Sequence, residues 1–358
     1  MWRCSVAVLN IDLYKLEHNA RLICDRAESV GVSVYGVTKV LCGMPEVAIA
    51  FKRAGVSAIA DSRLENIAAM REAAVPGPFV LLRLPAISRA AEVVSLADIS
   101  LNSELSTLTA LDRAAGELGV VHRVILMVDV GDLREGVWPE DFPRLLDECL
   151  RLRHLLVMGL GTNLACYGGV VPDANNMSLL RGLAETAKKQ LGRELVVSGG
   201  NSSSLALLFS GEFPHGINNL RIGEGIVLGR ETVDRQPLPG THLDACVLTA
   251  EIIELQTKPS VPVGTIGQDA FGGVPIFADR GLRRRAILSL GRQDTVPEGL
   301  TPLLPGAEVV GASSDHLILD VTDSPAVKVG DWVRFVPSYG ALLAAATSPY
   351  VRKVLTER

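Results

Sequence analysis

The chain has 358 residues, 48% of them hydrophobic and 21% charged, with a formal net charge of −5. That balance excludes a disordered or fibrous protein, and it argues against a nucleic-acid binder, whose contact face needs clustered basic residues. The single basic block, Arg283 to Arg285, reads as a solvated strand or loop face, and cysteines at 4, 24, 42, 149, 166 and 246 form no CxxC pair and no cluster with metal spacing.

Ser5 to Ile11 is an opening strand, and its apolar run is too short for a signal peptide because charge returns at Asp12 and Lys15. No later stretch reaches the roughly 18 uncharged apolar residues of a membrane span. The expected setting is therefore cytoplasmic, with reduced cysteines, no metal, no membrane and no nucleic acid. Leu13, Leu16, Ala20, Ile23, Ala27 and Val30 then lie at helical spacing, with Gly31 as the stop.

Next comes VYGVTKVLCG, Val34 to Gly43, a β-branched apolar run that reads as a buried strand ending in Thr38 and Lys39. A lysine there stands at the rim of the sheet. It is ordinarily a solvated charge, but a partly desolvated amine loses its proton more readily and condenses with an aldehyde. Pro45 opens a helix carrying Val47, Ala50, Phe51 and Ala54 and ending at Gly55. Val56 to Ala60 is a strand, and Ser62 with Glu65 forms the S-x-x-E capping box of another helix.

Phe79 to Leu82, Ile99 to Leu101, Val124 to Val128, Leu155 to Leu160, Leu195 to Val197 and Leu220 to Ile222 continue the strand series, each separated by a helical pattern. Counting from Val34, about eight strand–helix units in roughly 200 residues give the period of a (β/α)8 barrel. The structural rival is a doubly wound open sheet, but no G-x-G-x-x-G follows the first strand. After about Arg235 the texture changes. QPLPG, Gln236 to Gly240, reads as a linker, and short β-rich runs follow at 245–255, 285–290, 308–310, 316–321 and 332–336. The expected architecture is α/β, a (β/α)8 barrel over 11–235, with a C-terminal, mostly antiparallel β domain over 236–358 that is joined by the N-terminal strand 1–10.

In such a barrel the chemistry sits at the carboxyl ends of the strands, and phosphate binds at the loops after strands seven and eight. Those loops are SGGNSSS, Ser198 to Ser204, and RIGEG, Arg221 to Gly225. Glycines, hydroxyls and helix-start N–H groups suit an anion. Each loop alone is an ordinary turn. With a lysine after strand one, they describe a phosphorylated aldehyde held at both ends, and pyridoxal phosphate is the economical candidate.

The order of Lys39, an Asn-Ser loop and an Arg-x-Gly, followed by a β domain, resembles the alanine racemase superfamily of fold type III pyridoxal phosphate enzymes. VTKVLCG, ADSRLEN, SGGNSSSL, LRIGEGIVLGRE, LGRQD and YGALLAAATSPYV are similar to its ornithine racemase branch and span nearly the whole chain. The resemblance implies that Lys39 holds the cofactor covalently. It further implies that Ser202, with Asn201 and Ser203 and the backbone of Gly223 and Glu224, binds the phosphate, and that Arg221 faces the pyridine nitrogen. It implies a homodimer with shared active sites, and an amino-acid racemase acting on ornithine or a related basic amino acid.

Racemisation needs a second proton donor opposite Lys39, and here the pattern departs from the family. Arg292 stands in LGRQD where alanine racemases carry a tyrosine, and a guanidinium is a poor base. Tyr339, Cys166 or its neighbour Tyr167, and Asp294 remain as candidates, each with a plain packing or turn role as the alternative. A basic substrate also needs a carboxylate for its distal amine, for which Asp269, Asp294 and Glu224 are available. Rival functions are a pyridoxal phosphate lyase or aldolase acting on D-hydroxy amino acids, and a non-catalytic carrier of the cofactor.

Overall fold

The computed structural model of the chain describes residues 6–357. Contacts divide them into two compact units, one of Leu13–His242 and the other built from the segment through Asp12 together with the chain from Leu243 onward. The opening strand β1 (Ala7–Asp12) belongs to the second.

The first unit is a closed barrel of parallel strands β2 (Ser33–Val37), β3 (Ala58–Asp61), β4 (Phe79–Leu81), β5 (Ile99–Asn102), β6 (His122–Met127), β7 (Leu155–Gly161), β8 (Val196–Ser198) and β9 (Asn219–Ile222). Helices α1 (Leu13–Glu28), α2 (Pro45–Arg53), α3 (Leu64–Glu72), α4 (Ala90–Leu96), α5 (Leu105–Leu118), α6 (Phe142–Cys149), α7 (Ala174–Leu191), α8 (Leu205–Ser210) and α9 (Glu224–Leu228) alternate with them. Most of these strands are apolar on both faces. Tyr35, Val37, Ala58, Ala60, Val80, Ile99, Leu101, Ile125 and Met127 fill the interior. Their neighbours Val124, Leu126, Val157, Leu160 and Val197 pack outward with Leu108, Leu146 and Leu180 of the helices. This double burial is why the strands read as continuous hydrophobic runs.

Most stops fall where expected. Gly119 caps α5 in the left-handed conformation, and Pro45 is the first residue of α2. The capping box at Ser62 does not form. Helix α3 has Arg63 at its N-cap with no side-chain cap, and Asp61 instead accepts the Arg63 N–H at 3.0 Å and the Asn66 amide at 2.9 Å. Glu65 is drawn outward to Arg89, 2.6 Å away. A carboxylate ending the strand outcompetes the hydroxyl beside it.

The units part at His242, downstream of the QPLPG segment. Leu238 is buried and donates its N–H to Gly229 O at 2.9 Å, and the buried Asn19 of α1 accepts the His242 N–H at 2.7 Å. A stretch that is linker-like in composition is thus fastened to the barrel.

One buried histidine makes the barrel acid-sensitive. His122, only 3% exposed, meets Ser100 Oγ at 2.8 Å. Burial pulls its pKa from 6.5 down to about 4, with Asp98 opposing. Because the folded value is depressed, the unfolded chain binds the extra proton first. Stability is complete above about pH 6.5 and is lost as pH falls towards 4, by about 3 kcal/mol in total. Between pH 7 and pH 4.5, the denaturant-derived stability of His122→Gln should fall by roughly 2 kcal/mol less than that of the parent.

The second unit is a sheet in the order β12 (Leu300–Pro302), β15 (Trp332–Pro337), β10 (Cys246–Pro259), β11 (Leu282–Leu288), β14 (Leu317–Asp320), β13 (Glu308–Ala312). Its pairings are antiparallel, with one exception. Strand β1 lies antiparallel to β10 but parallel to the terminal strand β16 (Arg352–Thr356), which follows helix α10 (Tyr339–Thr347). Of the expected opening strand, Ser5 lies outside the described residues. The arginine block lies on β11 and serves the sheet: Arg283 bonds Asp320 and Asp323 at 2.7 Å each, and Arg285 donates to Ser260 O. Among the described residues no helix is long and apolar enough to cross a membrane.

Candidate functional site

Lys39 emerges from a buried turn. Strand β2 ends at Val37, and a short 3-10 helix, Lys39–Leu41, follows, in which Thr38, Val40 and Leu41 are buried and Lys39 is exposed. Thr38 Oγ1 donates to Asp61 Oδ2 at 2.8 Å. Cys42 and Gly43 both take positive φ, and a Cβ at Gly43 would collide with Asn66, which itself donates to Asp61. Asp61 therefore clamps the turn at both ends. Burial raises its carboxyl pKa, and the bonds from Thr38 and Asn66 oppose that rise.

Arg221 lies on the neighbouring strand, since β9 pairs with β2 with Tyr35 opposite Arg221. Its side chain is 4% exposed and donates to Ser198 Oγ, to Thr162 O at 2.6 Å and to Asn163 Oδ1 at 3.4 Å. Desolvation pushes its pKa down to about 10, with Glu135 opposing. It remains a cation at neutral pH. Burial likewise raises the phenol of Tyr35, and the arginine counters it.

The two expected anion loops are joined to each other. Ser202 Oγ accepts the Gly225 N–H at 3.0 Å, so the loop after β8 and the loop after β9 face one another. A Cβ at Gly223 would press on Val37 at 3.1 Å, and one at Gly225 would collide with Leu205. Both loops open directly into helical turns, whose first N–H groups have no intrahelical acceptor. Hydroxyl, glycine and helix-start N–H groups form a cradle suited to a phosphate.

Asn201 and Ser203 tie neighbouring loops together. Asn201 Oδ1 caps the Ser203 N–H at 2.8 Å, and its amide reaches Asn163 Oδ1 at 3.0 Å, Leu164 O at 2.8 Å and Cys166 Sγ at 3.2 Å. Ser203 Oγ, fully buried, turns to Leu164 O. Both bind the loop after β7 to the loop after β8.

The carboxylates of the loop after β6 were missed from sequence. Asp129 accepts N–H groups from Gly131, Leu133 and Arg134. Asp132, 1% exposed, accepts those of Cys166, Tyr167 and Val170. Glu135 pairs with Arg134 and accepts the Asn163 amide at 2.9 Å. Leu133 and Ala165 take positive φ, which is rare for residues with a Cβ, and Cys42 makes a third such residue at this end of the barrel. The available signal was VDVGDLREG, a charged, glycine-punctuated run at a strand end.

Cys166 lies at the solvent edge of this network. Its thiol is raised by partial desolvation, with Arg134 and Lys39 opposing, so Lys39 is within electrostatic reach. Tyr167 beside it is 77% exposed. Lys39, Asn201, Ser202, Ser203, Arg221, Gly223, Glu224 and Cys166 thus gather at the carboxyl ends of the barrel strands.

The remaining candidates belong to the β unit. Asp294, 5% exposed, accepts the Gly291 N–H at 3.1 Å and the Ser348 hydroxyl at 3.0 Å, which is the work of a turn carboxylate. Asp269 accepts the Phe271 and Gly273 N–H groups and closes the turn of an exposed arm. Arg292 pairs with Glu298 under the Phe271 ring, 5.1 Å from its centroid. Tyr339 opens α10 and is half-buried.

Residues 11–231 match the family described as alanine racemase, N-terminal domain. The chain is 44% identical over 350 residues to the ornithine racemase of Acetoanaerobium sticklandii, covering 97% of this chain and 99% of the relative. It is 43% identical over 347 residues to the lysine racemase of Thermotoga maritima, covering 97% of each. In fold it is similar to the alanine racemase from Bartonella henselae with covalently bound pyridoxal phosphate, with a TM-score of 0.74, 18% identity, and 99% and 100% of the two chains covered.

Proposed function

This chain belongs to the alanine racemase family, and from that premise we propose that it is a pyridoxal phosphate-dependent racemase of basic amino acids, ornithine or lysine. The observation that carries the reading is Lys39, the one exposed side chain of an otherwise buried turn, just past the strand that pairs with that of Arg221, at the end where the two-loop cradle lies. Pyridoxal phosphate, when bound, supplies the electron sink that acidifies the substrate's Cα–H.

Every other part is played by the protein. Lys39 would hold the cofactor through its amine, and the same amine would carry the Cα proton on one face. Ser202 and the backbone of Gly223 and Glu224 receive the phosphate. Arg221 addresses the ring nitrogen as a permanent cation, which disfavours protonation there and so favours return of the proton to Cα. We assign the opposite face to Cys166. Asp132 fixes its backbone, Asn201 reaches its sulfur, and its raised pKa keeps the thiol protonated and able to donate at neutral pH. The reading extends to a homodimer with shared sites working in the cytoplasm. Sedimentation at the mass of a single chain would remove the shared-site element.

The test is incubation in deuterium oxide with L-ornithine, L-lysine and L-alanine, followed by chiral separation and mass analysis. Ornithine or lysine should invert with deuterium at Cα, at least about tenfold faster than alanine, as expected from one charge-assisted contact. Equal rates would remove the basic-substrate reading, and no turnover of any would remove the racemase.

A further inference from the structure

We propose that Glu224 is the carboxylate that receives the distal ammonium of the substrate, and that Arg235 occupies that place until the substrate arrives. The inference rests on the racemase reading above and names the residue that selects a basic side chain.

Geometry puts Glu224 where such a group is needed. Strands β2 and β9 are paired with Gly36 opposite Ile222, so Lys39 and Glu224 leave adjacent strands at the same end. Lys39 is among the cations whose field acts on this carboxylate. Other carboxylates near the strand ends are committed. Asp61, Asp129 and Asp132 hold backbone or loop donors, and Glu135 holds Arg134 and Asn163.

Glu224 is held differently. Its side chain is 11% accessible, and its ion pairs fall on one oxygen: Arg235 Nη1 bonds Oε1, and Arg230 Nε stands 3.8 Å from the same atom. Among the described residues no hydrogen bond reaches Oε2. Arg230 Nε is itself a buried donor without a hydrogen-bond partner. The carboxylate is partly desolvated, within the field of the Lys39 amine, and open on one side.

Arg235 has the character of a replaceable partner. Its side chain is 53% accessible, so leaving Glu224 returns it to water at little loss. The loop that presents it is nevertheless built with care. Glu231, 5% exposed, accepts the N–H groups of Val233, Asp234 and Gln236, and the turn around it holds Arg235 at φ +61°. A non-glycine residue stays in that conformation only when its surroundings over-determine it. The result is a cation aimed at Glu224 from the solvent side. An ammonium at the end of an aliphatic chain offers the same charge to the carboxylate as Arg235 does. The backbone N–H of Glu224 remains available to the phosphate, so the residue serves both ligands with different atoms.

The test compares L-ornithine, L-lysine and the neutral isostere L-norleucine on the cofactor-loaded parent, Glu224→Gln and Arg235→Ala. In Glu224→Gln the ratio of kcat/KM for ornithine to that for norleucine should fall by about 10- to 100-fold, carried by KM, which is the value of a charge-assisted hydrogen bond. In Arg235→Ala the KM for ornithine should fall. Calorimetric titration of 1,4-diaminobutane into cofactor-free protein should show binding that Glu224→Gln abolishes. A ratio unchanged within about twofold in Glu224→Gln overturns the inference. Should that variant fail to fold, an ornithine KM in Arg235→Ala equal to the parent's overturns it instead. A parent that racemises ornithine while Glu224→Gln keeps its preference refutes this assignment alone; a parent that racemises nothing refutes the racemase reading.

Discussion

Replacing Lys39 by alanine is expected to lower racemisation of ornithine by at least about 10³-fold in both directions, because one side chain supplies both the covalent tether and a proton carrier. The same variant should lose its yellow absorbance on dialysis. Its folding should be little affected: Lys39 is exposed, whereas the turn around it is held by Thr38, Asp61 and Asn66. An unfolding midpoint equal to the parent's, combined with loss of colour and turnover, therefore isolates the chemistry from the scaffold. Retention of more than a tenth of parental activity would mean that another group carries the reaction.

For Cys166→Ala the expected loss of racemisation is about 10²- to 10⁴-fold, the usual worth of a positioned acid or base. More telling is the asymmetry. With Lys39 still in place, one enantiomer of ornithine should continue to exchange its Cα–H for solvent deuterium, while the other enantiomer exchanges no faster than in the Lys39→Ala variant. The cysteine is exposed, so its replacement creates no cavity, and Asp132 contacts only the backbone of that loop. Equal loss of exchange from both enantiomers, or an undiminished racemisation rate, would return the second base to the β unit, where Tyr339 would be tested next by substitution with phenylalanine.

Much of the barrel could be read from the chain because its signals are local or periodic. Strands buried on both faces must be runs such as VYGV or HRVILM, and helix ends need glycine for left-handed backbone, as at Gly119. Lys39 and Arg221 were legible for the same reason. A charged residue at the end of an apolar strand is conspicuous, and barrel topology says which end carries function.

The failures share a cause. Ser62 and Glu65 have the spacing of a capping box, but spacing carries no information about Asp61 or about Arg89, which reaches Glu65 from another helix. Asn201 lies in a glycine- and serine-rich loop whose sequence gives no sign that its amide also reaches the loop after β7. Asp129 and Asp132 were not singled out from the sequence and prove to be the pegs around which two loops are wound. QPLPG has the composition of a linker, yet Leu238 and Thr241 pin it to Gly229.

The order and type of the elements and the placing of Lys39, Arg221 and the two glycine-bearing loops at strand ends were determined by the sequence alone, because hydrophobic period and backbone permissiveness are properties of neighbouring residues. Which donor meets which acceptor was decided only by the tertiary structure. The joining of β1 to β16, the reach of Asn201 to the loop after β7 and the seating of Arg235 on Glu224 all depend on strand pairing and loop approach between residues that are distant along the chain or held by strained turns.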